Sequence, residues 1–171
     1  IAAQGYQLIV TVDCGITSIE EAETCLKTGV DLIITDHHNP GVEIPKAYAV
    51  VNPKLDDMES SRNLAGVGVA FKTALALTDG QPPLLLLNEW VILAALATIA
   101  DVVPLKAENR IIVKKGLQLM AQTRRPGLRR LLQAEGLLEQ RITTEKLAFQ
   151  IIPKLNSAGR LETAAISIDT L

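Results

Sequence analysis

Two short β-branched and aliphatic runs, Leu8-Ile-Val-Thr-Val12 and Asp31-Leu-Ile-Ile-Thr35, flank one helix-length segment. A helix between two strands returns the chain to the end from which the first strand started, so the strands pair in parallel as a βαβ unit. The connecting helix is signalled by Thr17-Ser18 ahead of Glu20-Glu21, the residues of a capping box, and it is expected to run to about Lys27 and stop at Gly29. The continuous β-branched run Leu8–Val12 predicts a strand buried on both faces, and Asp31–Thr35 predicts a second buried strand. A third strand is expected at Ala47-Tyr-Ala-Val-Val51, closed by Asn52-Pro53.

After this segment the pattern changes. A polar stretch over 54–63 leads into Ala65-Gly-Val-Gly-Val69 and a helix to about Thr78, with a loop at Gly80-Gln-Pro-Pro83. A core helix is expected over 84–100 and another over about 108–123, with a break at Pro126-Gly127. Short helices are expected near 128–135 and 144–152, a loop over 153–159, and a last helix from about Leu161. The fold class is therefore α/β, a parallel-sheet βαβ core followed by a mostly helical region. There is no internal repeat or low-complexity tract.

Apolar residues make up 48% of the 171 and charged residues 21%, which excludes a disordered chain. The net charge of −2 argues against a generally basic nucleic-acid binder, yet the charges are segregated. Residues 1–105 carry 5 Lys/Arg against 13 Asp/Glu, and residues 106–160 carry 12 against 4. Cys14 and Cys25 form neither a disulfide framework nor a C-x-x-C pair, so a reduced, cytoplasmic setting is expected. No secretory signal is visible, and the apolar run over 84–100 is interrupted by Asn88 and Glu89, too short to span a bilayer. Aromatics at 3% supply little base-stacking surface. The chain opens at Ile1, close to its first strand, and a fragment of a longer protein is expected.

In parallel sheets, ligands bind outside the carboxyl ends of the strands. Asp13 follows the first strand and Asp36-His37-His38 follows the second, so two carboxylates and the two histidines of the chain share one sheet edge. Each group has an ordinary structural reading: Asp13 as a cap or turn residue, Asp-His-His as solvated loop. Together they match the mixed carboxylate and imidazole donors that suit Mn²⁺, Zn²⁺ or Fe²⁺. Asp101 ends the apolar run and must be exposed, hydrogen-bonded or on a metal, because an unpaired buried carboxylate costs several kcal/mol. Gly66-Val-Gly68 before a helix suits either an anion or close helix packing. The pairs Lys114-Lys115, Arg124-Arg125 and Arg129-Arg130 are a solvated face or a track for a polyanion. Asn156-Ser-Ala-Gly-Arg160 suits a phosphate or a helix cap.

Taken in order, Thr11-Val-Asp-Cys-Gly-Ile16, Thr35-Asp-His-His38, Val51-Asn-Pro53, Leu64-Ala-Gly-Val-Gly-Val-Ala-Phe-Lys72, Ala100-Asp-Val-Val-Pro-Leu105 and Pro153-Lys-Leu-Asn-Ser-Ala-Gly-Arg-Leu161 resemble the DHH phosphoesterase family. Within it they are similar to the single-strand-specific 5′→3′ DNA exonucleases of DNA repair and recombination. The resemblance implies a two-metal phosphodiesterase core using Mn²⁺ or Mg²⁺, in which the ions clamp the attacking and leaving oxygens. It implies a partial DHH domain over 1–105 and a helical, basic continuation of the catalytic core over 106–171. By that resemblance Asp13, His37 and Asp101 are metal ligands, His38 contacts the substrate phosphate, and Asp36 orients the histidines. Gly66, Gly68 and Lys72 line the path of the strand, and Asn156 and Arg160 hold its backbone.

Two departures follow. The family's opening Asp-x-Asp has no counterpart in the 12 residues before Asp13, so the chain alone is expected to bind metal poorly and to be nearly inactive. Lys154 stands where Arg is frequent, which loses the bidentate fork for a phosphate. The implied partner is single-stranded DNA, with a single-strand-binding protein and a helicase as cooperating proteins and a monomeric enzyme. Two other readings are a DHH phosphodiesterase for short oligonucleotides or cyclic dinucleotides, and a non-catalytic DHH-like replication scaffold.

Overall fold

A computed structural model describes residues 1–161 and 171. The chain forms two compact units: Ile1–Gly80 with Lys106–Asn109, and Gln81–Leu105 with Arg110–Leu171.

The first unit is built on a parallel three-stranded sheet in the order β1 (Leu8–Val12), β2 (Asp31–Thr35), β3 (Ala49–Val51). β1 aligns with β2 from Leu8 opposite Asp31 to Val12 opposite Thr35, and β2 aligns with β3 from Ile33 opposite Ala49 to Thr35 opposite Val51. The three carboxyl ends therefore coincide, as the βαβ reading requires. α1 (Ile19–Thr28) makes the crossover and buries Ala22 against Leu32 and Ile34. It stops at Gly29, whose φ of 70° closes the helix in the left-handed region. The capping box does not form, because the Ser18 side chain makes no cap bond, although Glu20 and Glu21 still sit in the first turn where the helix dipole favours acids.

β1 departs from the sequence expectation. It is the sheet's edge strand, and Leu8, Val10 and Val12 are about half exposed among the described residues. The expected double-sided burial holds for β2, the central strand, where Leu32, Ile34 and Thr35 are buried. The third strand is two residues shorter than expected at its start. α2 (Gly66–Leu77) completes the unit, and Asn109 Nδ2 donates to the Asn63 carbonyl oxygen at 2.5 Å.

The second unit is helical. α3 (Leu84–Ala100) is buried along its second half, at Val91, Ile92, Ala94, Ala95, Leu96, Thr98 and Ile99, while Leu84, Leu85 and Leu86 in its first turn are exposed. α4 (Ala107–Leu119), which belongs to this unit from Arg110 onward, ends in a 3₁₀ turn at Met120–Gln122, and α5 (Pro126–Ala134) starts at a proline whose missing N–H costs nothing in a first turn. α6 (Thr144–Lys146) runs through a π segment, Leu147–Ile151, into α7 (Ile152–Leu161).

The loop expected over 153–159 is therefore helix. Proline inside a helix removes an N–H and crowds the carbonyl four residues back, and the wider π turn immediately before Pro153 accommodates both effects. The Ser157 hydroxyl turns back onto the Lys154 carbonyl at 2.9 Å and is satisfied within the helix. The helix expected from Leu161 onward lies outside the described residues. Among the described residues, no helix is long and apolar enough to cross a membrane.

α3 and α4 approach closely at Gly116, where an added Cβ would stand 2.2 Å from the Ala95 Cβ and 2.9 Å from the Val91 carbonyl oxygen. Gly→Ala in a helix is ordinarily stabilising by about 1 kcal/mol. Here overpacking reverses the sign: Gly116→Ala is expected to destabilise the chain by about 1–3 kcal/mol in urea unfolding.

Candidate metal centre

The carboxyl ends of β1 and β2 are tied together before any functional side chain is placed. The Thr35 hydroxyl donates to the Thr11 carbonyl at 2.7 Å, and the Asp13 N–H donates to the Thr35 carbonyl at 3.0 Å. Asp13 then takes a φ of 64°, a left-handed turn that Asp tolerates better than most residues. Gly15 continues the turn at φ 109°.

Asp36 follows β2 and is 1% exposed. Its Oδ2 accepts from the Ile16 N–H at 2.9 Å, and its Oδ1 accepts from the N–H groups of His37 at 2.7 Å and His38 at 3.2 Å. The same Oδ1 lies 2.7 Å from His38 Nδ1. Burial alone raises the Asp36 pKa, but these hydrogen bonds together outweigh it and hold the carboxyl below its ordinary value. An ionised Asp36 only accepts, so His38 donates through Nδ1–H and leaves Nε2 free to meet a cation or a phosphate. Asn52, at the end of β3 and 3% exposed, steadies this loop from the other side. Its Nδ2 donates to the His38 carbonyl at 3.0 Å, and its Oδ1 accepts from the Lys54 N–H at 2.9 Å.

The result is a cluster of Asp13, His37 and His38, each offering a ligand atom within 4.8 Å of the others. His37 is buried, and its Nε2 lies 3.1 Å from Asp13 Oδ1, while the Asp13 and His38 side chains are more than half exposed. Two neighbouring ligands on a six-coordinate divalent ion, each at about 2.1 Å, stand about 3.0 Å apart. The Asp13–His37 spacing therefore fits such an ion, and the pairing of one carboxylate oxygen with imidazole nitrogens suits Mn²⁺ better than Ca²⁺.

The other expected site residues are placed as follows. Asp101 caps the carboxyl end of α3 in the second unit, where its N–H donates to the Ala97 carbonyl at 2.9 Å. It is exposed, so the apolar run before it does not bury its charge. Gly66 begins α2 and lies against Asp13, and Gly68 packs against Leu64. Lys72 Nζ meets both carboxylate oxygens of Glu108 at 2.9 Å. Asn156 is exposed on α7, and Lys154 pairs with Glu135 at 3.2 Å. The side chain of Arg160 lies outside the described residues. Sequence reasoning gave no role to Asn52 or to the Ile16 N–H. The Asn-Pro at a strand end was a signal for the first, whereas a backbone donor leaves no mark in sequence.

Residues 3–98 match the DHH family, N-terminal domain, and the chain belongs to that family. It is 43% identical over 172 residues to the single-stranded-DNA-specific exonuclease RecJ of Bacillus subtilis, covering 100% of the chain and 21% of that protein. The crystal structure of an exonuclease RecJ bound to manganese superposes with a TM-score of 0.82 at 39% identity, covering 98% of the chain and 43% of that structure. RecJ of Thermus thermophilus in complex with Mg²⁺ gives 0.68 at 36% identity, covering 95% and 22%. The chain thus spans about a fifth of the curated relative and less than half of either solved structure.

Asp36→Asn leaves one acceptor where the buried carboxylate had two. Urea unfolding at pH 7 is expected to show a loss of about 2–3 kcal/mol. Because the folded-state pKa is lowered, the stability that Asp36 contributes is full above its unfolded pKa of about 3.9 and is lost as pH falls through the lower folded value. The gap between wild type and Asp36→Asn should therefore narrow below about pH 4.

Proposed function

We propose that this chain belongs to the catalytic core of a metal-dependent 5′→3′ single-strand-specific DNA exonuclease serving DNA repair and recombination. The observation that carries this reading is the Asp13–His37–His38 cluster at the carboxyl ends of β1 and β2. RecJ relatives that align along the whole chain, with solved structures holding Mn²⁺ or Mg²⁺, support it.

Asp13 and His37 hold a divalent ion, His38 meets the substrate phosphate through Nε2, and the buried Asp36 fixes the orientation of His38 through Nδ1. Asp101 is a further ligand on the strength of the family resemblance. When bound, Mn²⁺ or Mg²⁺ supplies Lewis acidity toward the phosphodiester and lowers the pKa of water. Gly66, Gly68, Lys72, Asn156 and Arg160 are proposed along the DNA path, with Lys72 engaging a phosphate only by leaving Glu108. A cytoplasmic monomer working with a single-strand-binding protein and a helicase completes the reading.

The test uses a protein of the relatives' length that carries this segment. With Mn²⁺ it should degrade a single strand with a free 5′ end far faster than it cleaves a dinucleotide, and more slowly as salt rises. Asp101→Asn should cut the rate about 100-fold or more while folding is kept. Equal rates on strand and dinucleotide would favour a short-oligonucleotide phosphodiesterase, and undiminished cleavage would remove Asp101 from the site.

A further inference from the structure

Gly66 is the first residue of α2 and is buried, yet its φ lies outside the left-handed region. Backbone conformation therefore does not require glycine there, and helix propensity favours alanine. Space does require it. A Cβ on Gly66 would stand 1.9 Å from Asp13 Oδ1, 2.5 Å from Asp13 Cγ and 2.9 Å from Asp13 Cβ.

The backbone of Asp13 has little room to yield. Its N–H is held by the Thr35 carbonyl, and its backbone already sits at φ 64°. A side chain at 66 would have to be met by rotating the carboxylate away, and the oxygen it displaces is the one 3.1 Å from His37 Nε2. The contact is also electrostatically favourable. Ala65, the N-cap, offers no capping group, and the first turn of α2 has no acidic residue. Asp13 thus brings a negative charge to the positive end of a 12-residue helix. Gly68, two residues further on, is different: its added Cβ would meet the movable end of Leu64 at 2.9 Å, a packing matter that leaves Asp13 untouched.

We propose that Gly66 is a positioning residue for Asp13: its missing side chain lets α2 close on the carboxylate and aims Oδ1 at His37. The functional consequence rests on Asp13 being a metal ligand, whereas the geometric claim does not. This gives Gly66 a place in the ligand shell's support in addition to any contact with a DNA strand.

A double-mutant cycle in thermal unfolding, without metal or DNA, tests the geometry separately from the function. Gly66→Ala should lower Tm by about 5 °C or more. Asp13→Gly removes the obstructing carboxylate and changes stability by itself at the positive φ, so the cycle compares costs: Gly66→Ala should cost far less in the Asp13→Gly background than in wild type. If Gly66→Ala alone fails to fold, a folded double variant supports the proposal equally. A Gly66→Ala chain as stable as wild type overturns it. So does a Gly66→Ala cost that is as large in the Asp13→Gly background as in wild type. Gly68→Ala is the matched control, and its cost should be the same in the wild-type and Asp13→Gly backgrounds.

Discussion

One buried carboxylate organises the candidate centre. Asp36 is almost wholly removed from water, and it stays ionised because three backbone N–H groups and an imidazole converge on it. Those donors come from two places in the chain, the turn after β1 and the loop after β2. The carboxylate therefore joins the two crossover ends that a parallel sheet brings side by side. Without it, His38 would have no fixed tautomer, and the Ile16 N–H would be a buried orphan.

Around this anchor the division of labour is physical. His37 is enclosed and points Nε2 at Asp13, while His38 is open to solvent and presents the ring nitrogen that Asp36 does not use. Asn52 braces the same loop through both ends of its amide. The chain belongs to the DHH family and is similar to metal-bound RecJ structures. These relationships give no single residue its task, and the proposed tasks rest on the bonds that each side chain makes.

The sheet and its crossover were legible in the sequence because short β-branched runs around one helix that stops at Gly29 admit few arrangements. The sharing of one edge by Asp13 and Asp-His-His followed from that topology alone. Burial of β1 was misread because an apolar pentapeptide carries the same residues whether its strand lies at the centre or the edge of a sheet. The 153–159 segment was misread because Pro, Asn, Ser and Gly favour turns locally, and a π turn that absorbs a proline is a tertiary accommodation with no sequence signal. The role of Gly66 was hidden for a similar reason. Glycine before a helix reads as loop chemistry or close packing, and which atom comes close is known only once β1 and α2 meet.

The central claim is that Asp13, His37 and His38 form a centre for a divalent cation. The most direct measurement is NMR of the histidine ring signals during Mn²⁺ titration of the chain, where even weak binding broadens nearby nuclei. Selective broadening of both imidazoles, abolished by Asp13→Asn, is the predicted result. Ring signals that stay sharp while signals elsewhere broaden would contradict the account.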